Sequence, residues 1–535
     1  MDDDTPQPEP HPEGAAIASA AAFMIFAILA SAAAGVVREM VYAAKFGAGA
    51  SMSAFTQAFR VPDLVYFLIA GGALRTGFIP VFAGYWEKGE HDKAWRTFQA
   101  VFGAVILVGL GIVALGMLLS GPLAQLVAGG KKLPAEEVRS CAKFMRIMFP
   151  AQVFFAAGGL LAGVQNARRR FFWPGIGPVV YNLVLIFAAL LFADIYGLTS
   201  QSAAVVVGAF VASFLLQLLA LARYGRHILP RIDFRDEGLR QMLLLVGPVI
   251  LGLSIPEVNK IIVNRFALDV TAAGSGILYY TDHLGTLTVR AFGAGIAIAT
   301  YPFLSALAAR GELDEFKQRL SEGLRHVVFL SLPAVVLIVV LREPIIHLLF
   351  LRGKFTPEHA AAVSSTLIWY SLGVVPFAML AVAARAFYAF KDMRTPVICA
   401  ALAVATSIVA VLALKGPFGL EGCALAWALA PIVNVALLLI VLRRRMGPLG
   451  GRRLLSTALT TAGLSATMGL LAHLTLTVAA GRYDYHAQDT AARAVCLAVP
   501  ALVGLGSFAA LSYVLRVEEA RTALNVLLRR VRRAS

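Results

Sequence analysis

The sequence predicts an all-α integral membrane protein of about 14 transmembrane helices, with two pseudo-symmetric six-helix lobes and two accessory helices. Two observations predict this fold class. The chain of 535 residues is 59% hydrophobic and only 15% charged, which is too little charge to cover a soluble protein of this length. Apolar runs long enough to cross a bilayer also recur along the whole chain.

A long internal repeat divides the chain into two halves. Pro80 precedes Gly89-Glu90 in the first half, and Pro302 precedes Gly311-Glu312 at the same spacing in the second. The long offset that carries Pro80 onto Pro302 indicates two copies of a multi-helix unit. Two such halves with a cleft between them form the plan of a membrane transporter, and an even number of spans in each half predicts an axis along the membrane normal.

The apolar runs and the polar connections between them predict five regions. They are a disordered tail over 1–14, an N-lobe of helices 1–6 over 15–225, a C-lobe of helices 7–12 over 226–445, accessory helices 13 and 14 over 446–516, and a basic amphipathic cytoplasmic tail over 517–535. The last region has the pattern of an interfacial helix on an anionic leaflet. A solvated basic tail is the alternative interpretation.

The net charge of +16 is a topology signal. If the N-terminus is cytoplasmic, the basic clusters at 168–170, 443–445 and 452–453 lie in connections on the cytoplasmic face, as the positive-inside rule expects. We therefore expect a multi-pass protein of the cell (inner) membrane with both termini in the cytoplasm. Nucleic acid is not an expected partner, because no aromatic and basic module lies outside the spans.

Motifs of soluble enzymes are missing from the sequence. It contains no P-loop, no zinc-type histidine pair and no nucleophile elbow, so we predict a transporter and not an enzyme. No cofactor is predicted, and the coupling ion or membrane potential that would drive transport is left open. The four cysteines are scattered without metal-type spacing and are interpreted as core residues.

Ionisable residues inside the first two spans are candidates for function, because charge is costly in lipid and usually faces a cavity. Arg38-Glu39 follows a stretch of small residues in the first span. It is either an anion site in which Glu39 tunes the arginine or a structural ion pair. Arg60 and Arg75 in the second span either line the cavity or extend to an interface.

The seventh span carries a polar stripe. Glu257, Lys260 and Asn264 are spaced i, i+3 and i+7, which places them on one helical face. The stripe either lines a central cleft or is an ion pair that only holds the helix in place. In the eighth span, Asp282 and Arg290 lie roughly on one face, and His283 is a candidate for proton coupling, because histidine is the side-chain type whose ordinary pKa lies closest to neutral pH. A structural role for this histidine is the alternative.

Several ordered motifs resemble the MurJ/MviN family of lipid II flippases. The segments 38–39, 45–49, 58–63 and 78–81 look like the opening of that family, and 279–282 and 353–356 are similar to later motifs. The resemblance implies the multidrug/oligosaccharidyl-lipid/polysaccharide exporter fold and alternating access. It also implies a cavity in which arginines meet the pyrophosphate of the lipid, a group that suits the guanidinium fork. Arg38 matches one of these arginines and Glu39 matches its acidic neighbour.

Four positions depart from the charged residues of the family: Ala32, Tyr66, Gly71 and His283. Charge from other positions would have to replace them if the substrate is unchanged. The predicted substrate-binding residues are therefore Arg38, Glu39, Arg60, Arg75, Lys260, Asp282, His283 and Arg290.

The function that follows from the resemblance is a flippase that moves undecaprenyl-pyrophosphate-linked peptidoglycan precursor, lipid II, from the cytoplasmic to the outer leaflet for cell wall synthesis. The alternatives are an exporter of another lipid-linked glycan and a non-transporting scaffold in envelope assembly. The expected partners are lipid II or a related undecaprenyl-linked glycan and membrane lipids, with other cell-wall synthesis proteins as candidates.

Overall fold

The computed structural model describes residues 12–67, 73–168, 170–222, 228–288, 293–483 and 489–521. Within these ranges the chain is helical apart from short turns and contains no strand. The prediction of an all-α membrane protein is confirmed. Residues 12–14 of the predicted disordered tail instead form the first turn of the first helix, and residues 1–11 lie outside the described ranges.

The helices of the first half, in chain order, are α1 Pro12–Phe46, α2 Ala50–Tyr66, α3 Ala73–Glu87, α4 His91–Leu118, α5 Ser120–Ala128, α6 Ala135–Met148, α7 Ala151–Ala167, α8 Phe172–Tyr196, α9 Leu198–Gly208 and α10 Leu216–Leu221. A π-helical segment, Ala209–Leu215, joins α9 to α10.

The helices of the second half are α11 Glu237–Val270, α12 Gly274–Thr288, α13 Ala294–Arg310, α14 Leu313–Val340, α15 Arg342–Leu349, α16 Pro357–Ser371, α17 Val374–Ala389, α18 Arg394–Leu414, α19 Gly419–Met446, α20 Gly451–Arg482 and α21 Thr490–Val514.

Ten helical stretches of the described chain are long and apolar enough to cross a membrane. The count is eleven if α16 and α17, which meet at a bend of 42°, form one span. Gly373 lies at this bend, and a Cβ atom there would be 2.6 Å from the Cα atom of Ala428. The described chain therefore forms a multi-pass membrane protein, whereas the predicted number of fourteen spans is not confirmed.

The predicted repeat recurs in the helix bounds. α4 and α14 are both 28 residues long, and the offset that carries Pro80 onto Pro302 also carries His91, the first residue of α4, onto Leu313, the first residue of α14. The glycine of each repeated motif ends the preceding helix. Gly89 and Gly311 have φ angles of 79° and 74°, a left-handed conformation that other residues adopt only at a cost. The repeated Gly-Glu pair is thus a helix stop followed by the cap of the next helix.

The chain forms two compact units. The first comprises Met1–Lys45, Ala58–Gln125 and Arg139–Ser254. Its core contains Phe78, Phe98 and Leu160 from α3, α4 and α7, all of them at most 1% exposed. Aromatic rings dominate this core, and Phe78, Phe82 and Phe98 form successive ring contacts. This burial anchors α3 and α4 to α7.

The second unit comprises Phe46–Gln57, Leu126–Val138 and Ile255–Ser535. Its core contains Leu304, Leu324 and Leu438 from α13, α14 and α19. The accessory helices α20 and α21 pack against each other and on α14. The four cysteines of the chain are buried and free, as core cysteines should be. The lobe boundaries predicted at 225 and 445 stay predictions.

A buried ion pair ties the segment after α21 to α14. Arg325 Nη1 donates to Glu519 Oε1 at 3.0 Å and to Glu518 Oε2 at 2.9 Å. The Arg325 and Glu519 side chains are only 10% and 5% exposed, and Thr457 also donates to Glu519. The hydrogen bond from Arg325 lowers the pKa of Glu518. This segment begins the predicted basic tail, whose residues 522–535 lie outside the described ranges.

Candidate functional site

Arg38 is the centre of a polar cluster inside the first unit. Its Nε donates to Glu39 Oε1 at 3.1 Å, and its Nη1 donates to Asn182 Oδ1 of α8 at 2.9 Å. The guanidinium carbon lies 5.9 Å from the ring centre of Tyr42, whose hydroxyl donates to Gln201 of α9. The Arg38 side chain is 19% exposed and that of Glu39 is 5% exposed. Glu39 of the same helix and Asn182 of α8 thus fix the direction of this cation.

Of Arg60 and Arg75, the two cations of the predicted second span, only Arg60 has a described side chain. Arg60 lies in α2 and is partly buried. Its Nε atom is buried and has no hydrogen-bond partner among the described residues. A buried donor without a partner is costly, which is compatible with a site that binds an anion. The backbone of Arg75 lies in α3, and its side chain is outside the described residues, as are Gly71 and Gly72.

Lys260 and Glu257 form an ion pair one turn apart on α11. Lys260 Nζ lies 3.4 Å from Glu257 Oε1, with side chains 27% and 15% exposed. The third residue of the stripe, Asn264, accepts from Ser275 of α12 at 3.1 Å. Ser275 in turn lies 3.0 Å from the hydroxyl of Thr56. The predicted stripe is therefore continuous, with an ion pair at one end and a buried hydrogen-bond chain at the other.

A cavity of about 70 Å³ borders this ion pair inside the second unit. Glu257, Asn259 and Lys260 line one wall, and Trp427 and Asn434 of α19 line another. The Oδ1 atoms of both asparagines are buried and have no partner among the described residues. The volume suits about two water molecules, each of which needs polar partners of this kind. The cavity thus presents a few polar groups in a lining that is mostly apolar.

Asp282 and His283 lie on α12, next to α16. The hydroxyl of Tyr370 donates to Asp282 Oδ1, and the Tyr370 ring stacks on Trp427 with ring centres 3.7 Å apart. His283 Nδ1 lies 2.9 Å from the carbonyl oxygen of Tyr279, so this nitrogen carries the proton of that hydrogen bond. The aspartate is therefore held by an aromatic pair. Arg290, the last predicted residue, lies outside the described residues.

A second charge cluster, centred on Asp269 at the end of α11, is absent from the sequence prediction. Lys415 Nζ lies 2.6 Å from Asp269 Oδ2, and Arg265 Nη1 lies 3.0 Å from Oδ1. The backbone N–H of Lys131 also donates to Asp269, and Arg265 donates to the carbonyl of Gly129. The Asp269 cluster therefore holds the segment 126–138, which comes from the first half of the sequence, within the second unit.

The segment 46–57 also lies within the second unit, where hydrogen bonds and close backbone contacts attach it to α12. Ser53 Oγ accepts from the N–H of Gly276, and the Tyr280 hydroxyl donates to the carbonyl of Gly47. A Cβ atom on Gly276 would lie 2.5 Å from the carbonyl oxygen of Ala48. Glycine at this position is therefore needed for the approach of the two chains.

The family-specific model of the lipid II flippase MurJ matches residues 42–488 of the chain. The chain belongs to the lipid II flippase MurJ family. The match begins just after Arg38-Glu39, so the Arg38 cluster lies at its edge and gains no support from it. The match contains the stripe on α11, Asp282 and the Asp269 cluster.

Relatives from three bacteria support this membership of the MurJ family. A probable lipid II flippase MurJ of Rhizobium meliloti (strain 1021) is 33% identical over 419 residues, covering 76% of this chain and 77% of the relative. That of Vibrio cholerae serotype O1 is 29% identical and covers 76% and 78%. That of Bdellovibrio bacteriovorus is 26% identical over 493 residues and covers 91% and 92%.

Solved structures show the same fold. A lipid II flippase MurJ in an inward closed conformation matches with a TM-score of 0.75 at 20% identity, over 92% of this chain and 99% of that chain. An inward-facing multidrug resistance MATE family transporter of the MOP superfamily matches with a TM-score of 0.66 at 15% identity, over 78% and 95%. At these identities the likeness concerns the fold alone.

Sequence reasoning missed several polar residues that the fold of this MurJ family member brings to the predicted ones: Tyr42, Asn182, Gln201, Asn259, Tyr370 and Asn434. Most are uncharged amides inside apolar runs, where a buried polar group must find a partner. Asn182 and Gln201 stand out within apolar stretches of α8 and α9, and this signal was available in the sequence.

Proposed function

We propose that this member of the MurJ family is a lipid II flippase, a transporter that moves undecaprenyl-pyrophosphate-linked peptidoglycan precursor from the cytoplasmic to the outer leaflet. The observation that carries the proposal is the family match over residues 42–488. The fold match with a TM-score of 0.75 supports the transporter architecture that the proposal requires. No cofactor is part of the proposal, and the coupling ion stays open.

The Arg38 cluster is the proposed anchor of the lipid pyrophosphate. A guanidinium presents several N–H donors in a planar fork, which suits a pyrophosphate better than a lysine ammonium does. Glu39 and Asn182 hold the fork in place before the lipid arrives, so little side-chain entropy is lost on binding. The neighbouring Glu39 also balances the charge of Arg38 when the site is empty.

Transport by alternating access requires rearrangement of contacts that hold short segments of the first half. We propose that the attachments of segments 46–57 and 126–138 to α11 and α12 are made in one state of the cycle and broken in the other. The ion pairs around Asp269 and the close contact at Gly276 are the contacts that would break and form again during the cycle. Packed interfaces of this type switch between discrete arrangements and do not deform gradually.

The proposed location is the cell (inner) membrane, with both termini in the cytoplasm. The multi-pass architecture is given by the apolar helices and by the family. The orientation rests on the basic connections, which the positive-inside rule places in the cytoplasm. Lipid II is assembled on an undecaprenyl carrier, so the same membrane must supply the substrate.

The experiment that tests the proposal is replacement of the resident flippase in a bacterium depleted of it. We expect this gene to restore growth and to lower the accumulated lipid II on the cytoplasmic leaflet, measured by labelling outer-leaflet lipid II in spheroplasts. Restored labelling of a different undecaprenyl-linked glycan, without lipid II, would assign the chain to another lipid-linked substrate. Binding of lipid II without translocation would favour a scaffold.

A further inference from the structure

A cavity of about 460 Å³ opens beside the first turns of α4 in the first unit. One face of α4 and the connection that precedes α11 form its walls. Its lining residues are Asp92, Trp95, Arg96, Gln99, Leu229, Pro230 and Arg231. None of these residues belongs to the proposed pyrophosphate site.

The wall formed by the connection is packed main chain. The N–H of Arg231 donates to the carbonyl of Gln99 at 3.0 Å. A Cβ atom on Gly103 would lie 2.1 Å from the carbonyl oxygen of Arg231, and one on Gly238 would lie 2.4 Å from Thr97 Oγ1. Gly103 therefore allows the connection to lie directly on α4, and Gly238 allows the first turn of α11 to do the same.

The charge of the lining suits one phosphodiester. Among the residues that line the cavity, Arg96 and Arg231 are cationic and Asp92 is anionic, an excess of one positive charge that Asp233, outside the lining, partly offsets at Arg231. Arg96 has no ion-pair partner in the part of the chain that the structure describes, and Arg231 contacts Asp233 at 3.5 Å on the protein surface. Guanidinium groups bind phosphate oxygens through charge-assisted hydrogen bonds in a planar, often bidentate geometry.

The position of the cavity is that of a lipid headgroup. α4 has 28 residues, so it is about 42 Å long and exceeds a hydrocarbon core of about 30 Å. Its charged first turns must therefore lie at the membrane surface. Beside them, Leu229, Ile232 and Phe234 are 60%, 65% and 53% exposed. Apolar side chains exposed next to a basic cavity suit a ligand with acyl chains, and free phosphate would leave them uncovered.

We propose that this cavity binds the headgroup of an anionic phospholipid of the phosphatidylglycerol class, with Arg96 and Arg231 on its phosphodiester and the acyl chains over Leu229, Ile232 and Phe234. The bound lipid is a structural ligand of the connection before α11 and is distinct from the transported lipid. The site is thus independent of the proposed transport function.

The test is lipid retention by the purified full-length protein in native mass spectrometry, with dioleoylphosphatidylglycerol, dioleoylphosphatidylethanolamine or dioleoylphosphatidylcholine at equal concentration. We expect retention of phosphatidylglycerol about tenfold above the other two. The double variant Arg96→Gln/Arg231→Gln should lose this preference. The matched control, Arg310→Gln/Arg319→Gln, removes two exposed arginines near the start of α14 and should keep it.

A second variant tests the charge argument even if the double variant folds poorly. Asp92→Asn raises the net charge of the lining, so it should increase phosphatidylglycerol retention and leave phosphatidylcholine unchanged. Equal retention of the three lipids by the parent, unchanged preference in the double variant, or no increase in Asp92→Asn would each overturn the proposal. Displacement of phosphatidylglycerol by excess inorganic phosphate would assign the cavity to free phosphate instead.

Discussion

Arg38 differs from the other predicted cations in how firmly it is held. Side chains of Glu39 and Asn182 fix its guanidinium, whereas Lys260 is paired with Glu257 at 3.4 Å and remains partly exposed. The buried Nε of Arg60 has no partner among the described residues. These three cations therefore have different tasks in the proposed mechanism: Arg38 is fixed in advance, and the other two are available to respond to a ligand.

Replacement of Arg38 is predicted to abolish transport. Arg38→Ala should fail to restore growth of a flippase-depleted bacterium while membrane levels stay normal, because the fork that meets the pyrophosphate is gone. Arg38→Lys should restore growth only in part, since an ammonium lacks the planar geometry. Lys45→Ala, at the end of the same helix in a bridge to the exposed Asp194, is the control and should grow normally. Normal growth of the Arg38→Ala strain would contradict the assignment of Arg38 as the anchor of the lipid pyrophosphate.

Arg60 and Lys260 are predicted to supply charge that the family places elsewhere. Arg60→Gln or Lys260→Gln should each weaken lipid II binding at least about tenfold, or roughly 1.4 kcal/mol, a modest value for a charged hydrogen bond. Binding is measured with purified protein and labelled lipid II, and Arg310→Gln is the control. If both variants bind like the parent, these residues do not compensate for the missing charges.

For individual polar residues, the sequence predicts the residue types and their spacing along a helix better than it predicts their hydrogen-bond partners. The helical period places Glu257, Lys260 and Asn264 on one face, and two of them do form an ion pair. One of the two hydrogen-bond partners of Arg38, Asn182, however, lies 144 positions away. Contacts of that separation depend on how α1 packs beside α8, and no local pattern in the sequence encodes it.

Among the helices, glycines determine where a helix ends, and ion pairs determine which neighbouring segments the helix holds. Gly89 and Gly311 stop α3 and α13 in a left-handed turn, and both stops are visible in the sequence as the repeated Gly-Glu pair. The bend of 42° between α16 and α17 is not visible in this way. Gly373 lies at this bend and packs closely on Ala428 of another helix, a contact between positions far apart in the sequence.

The Asp269 cluster is predicted to hold the segment 126–138. Asp269→Asn removes the carboxylate charge shared by Lys415 and Arg265, so this segment should detach more often. Leu133, which is 6% exposed, is replaced by cysteine as a probe in both backgrounds. Its labelling by a maleimide should be several-fold faster with Asp269→Asn, and the buried native cysteines give little background. Glu358→Gln, at an exposed glutamate, is the control; equal labelling rates in all three would contradict the role.

The Arg325 ion pair is predicted to stabilise the end of the chain. Arg325→Ala leaves the buried Glu519 carboxylate without its cation, which should cost about 3 kcal/mol, the scale of breaking a buried pair. The thermal unfolding midpoint in detergent should fall and the segment after α21 should become sensitive to protease. Glu518→Gln should change little, because this side chain is 78% exposed. Similar midpoints for the two variants would show that the pair is not stabilising.

Of the features that involve the whole molecule, the internal repeat is the one that the amino-acid sequence predicts best. Its offset relates both ends of α4 to both ends of α14, because the same stop and cap residues were kept in both halves. The number of spans is harder to predict. α16 and α17 have only 15 and 16 residues and meet at a bend of 42°, so they count as one span only when taken together.

The proposed topology predicts that residues 310 and 444 face the cytoplasm. Both arginines are exposed, so Arg310→Cys and Arg444→Cys should be protected from an impermeant maleimide in intact cells and labelled in inverted membrane vesicles. The positive-inside bias is the physical reason. Leu474→Cys, at an exposed position well inside α20, is the control for labelling from within the bilayer. Labelling of either cysteine in intact cells would show that the orientation is opposite to the proposed one.

The pair Gly103 and Arg325, which the repeat offset places at equivalent positions, bears on the history of the chain. If an ancestral gene was duplicated and fused, one copy kept a residue without a side chain, so that the connection at Arg231 fits against α4. The other copy acquired a long cation that captures Glu519. Neither half now accepts the residue of the other. An arginine at 103 would collide with the main chain of Arg231, and a glycine at 325 would leave the Glu519 carboxylate without its ion-pair partner. The two copies have become non-interchangeable, and a chimera built by swapping them should fail at this helix first.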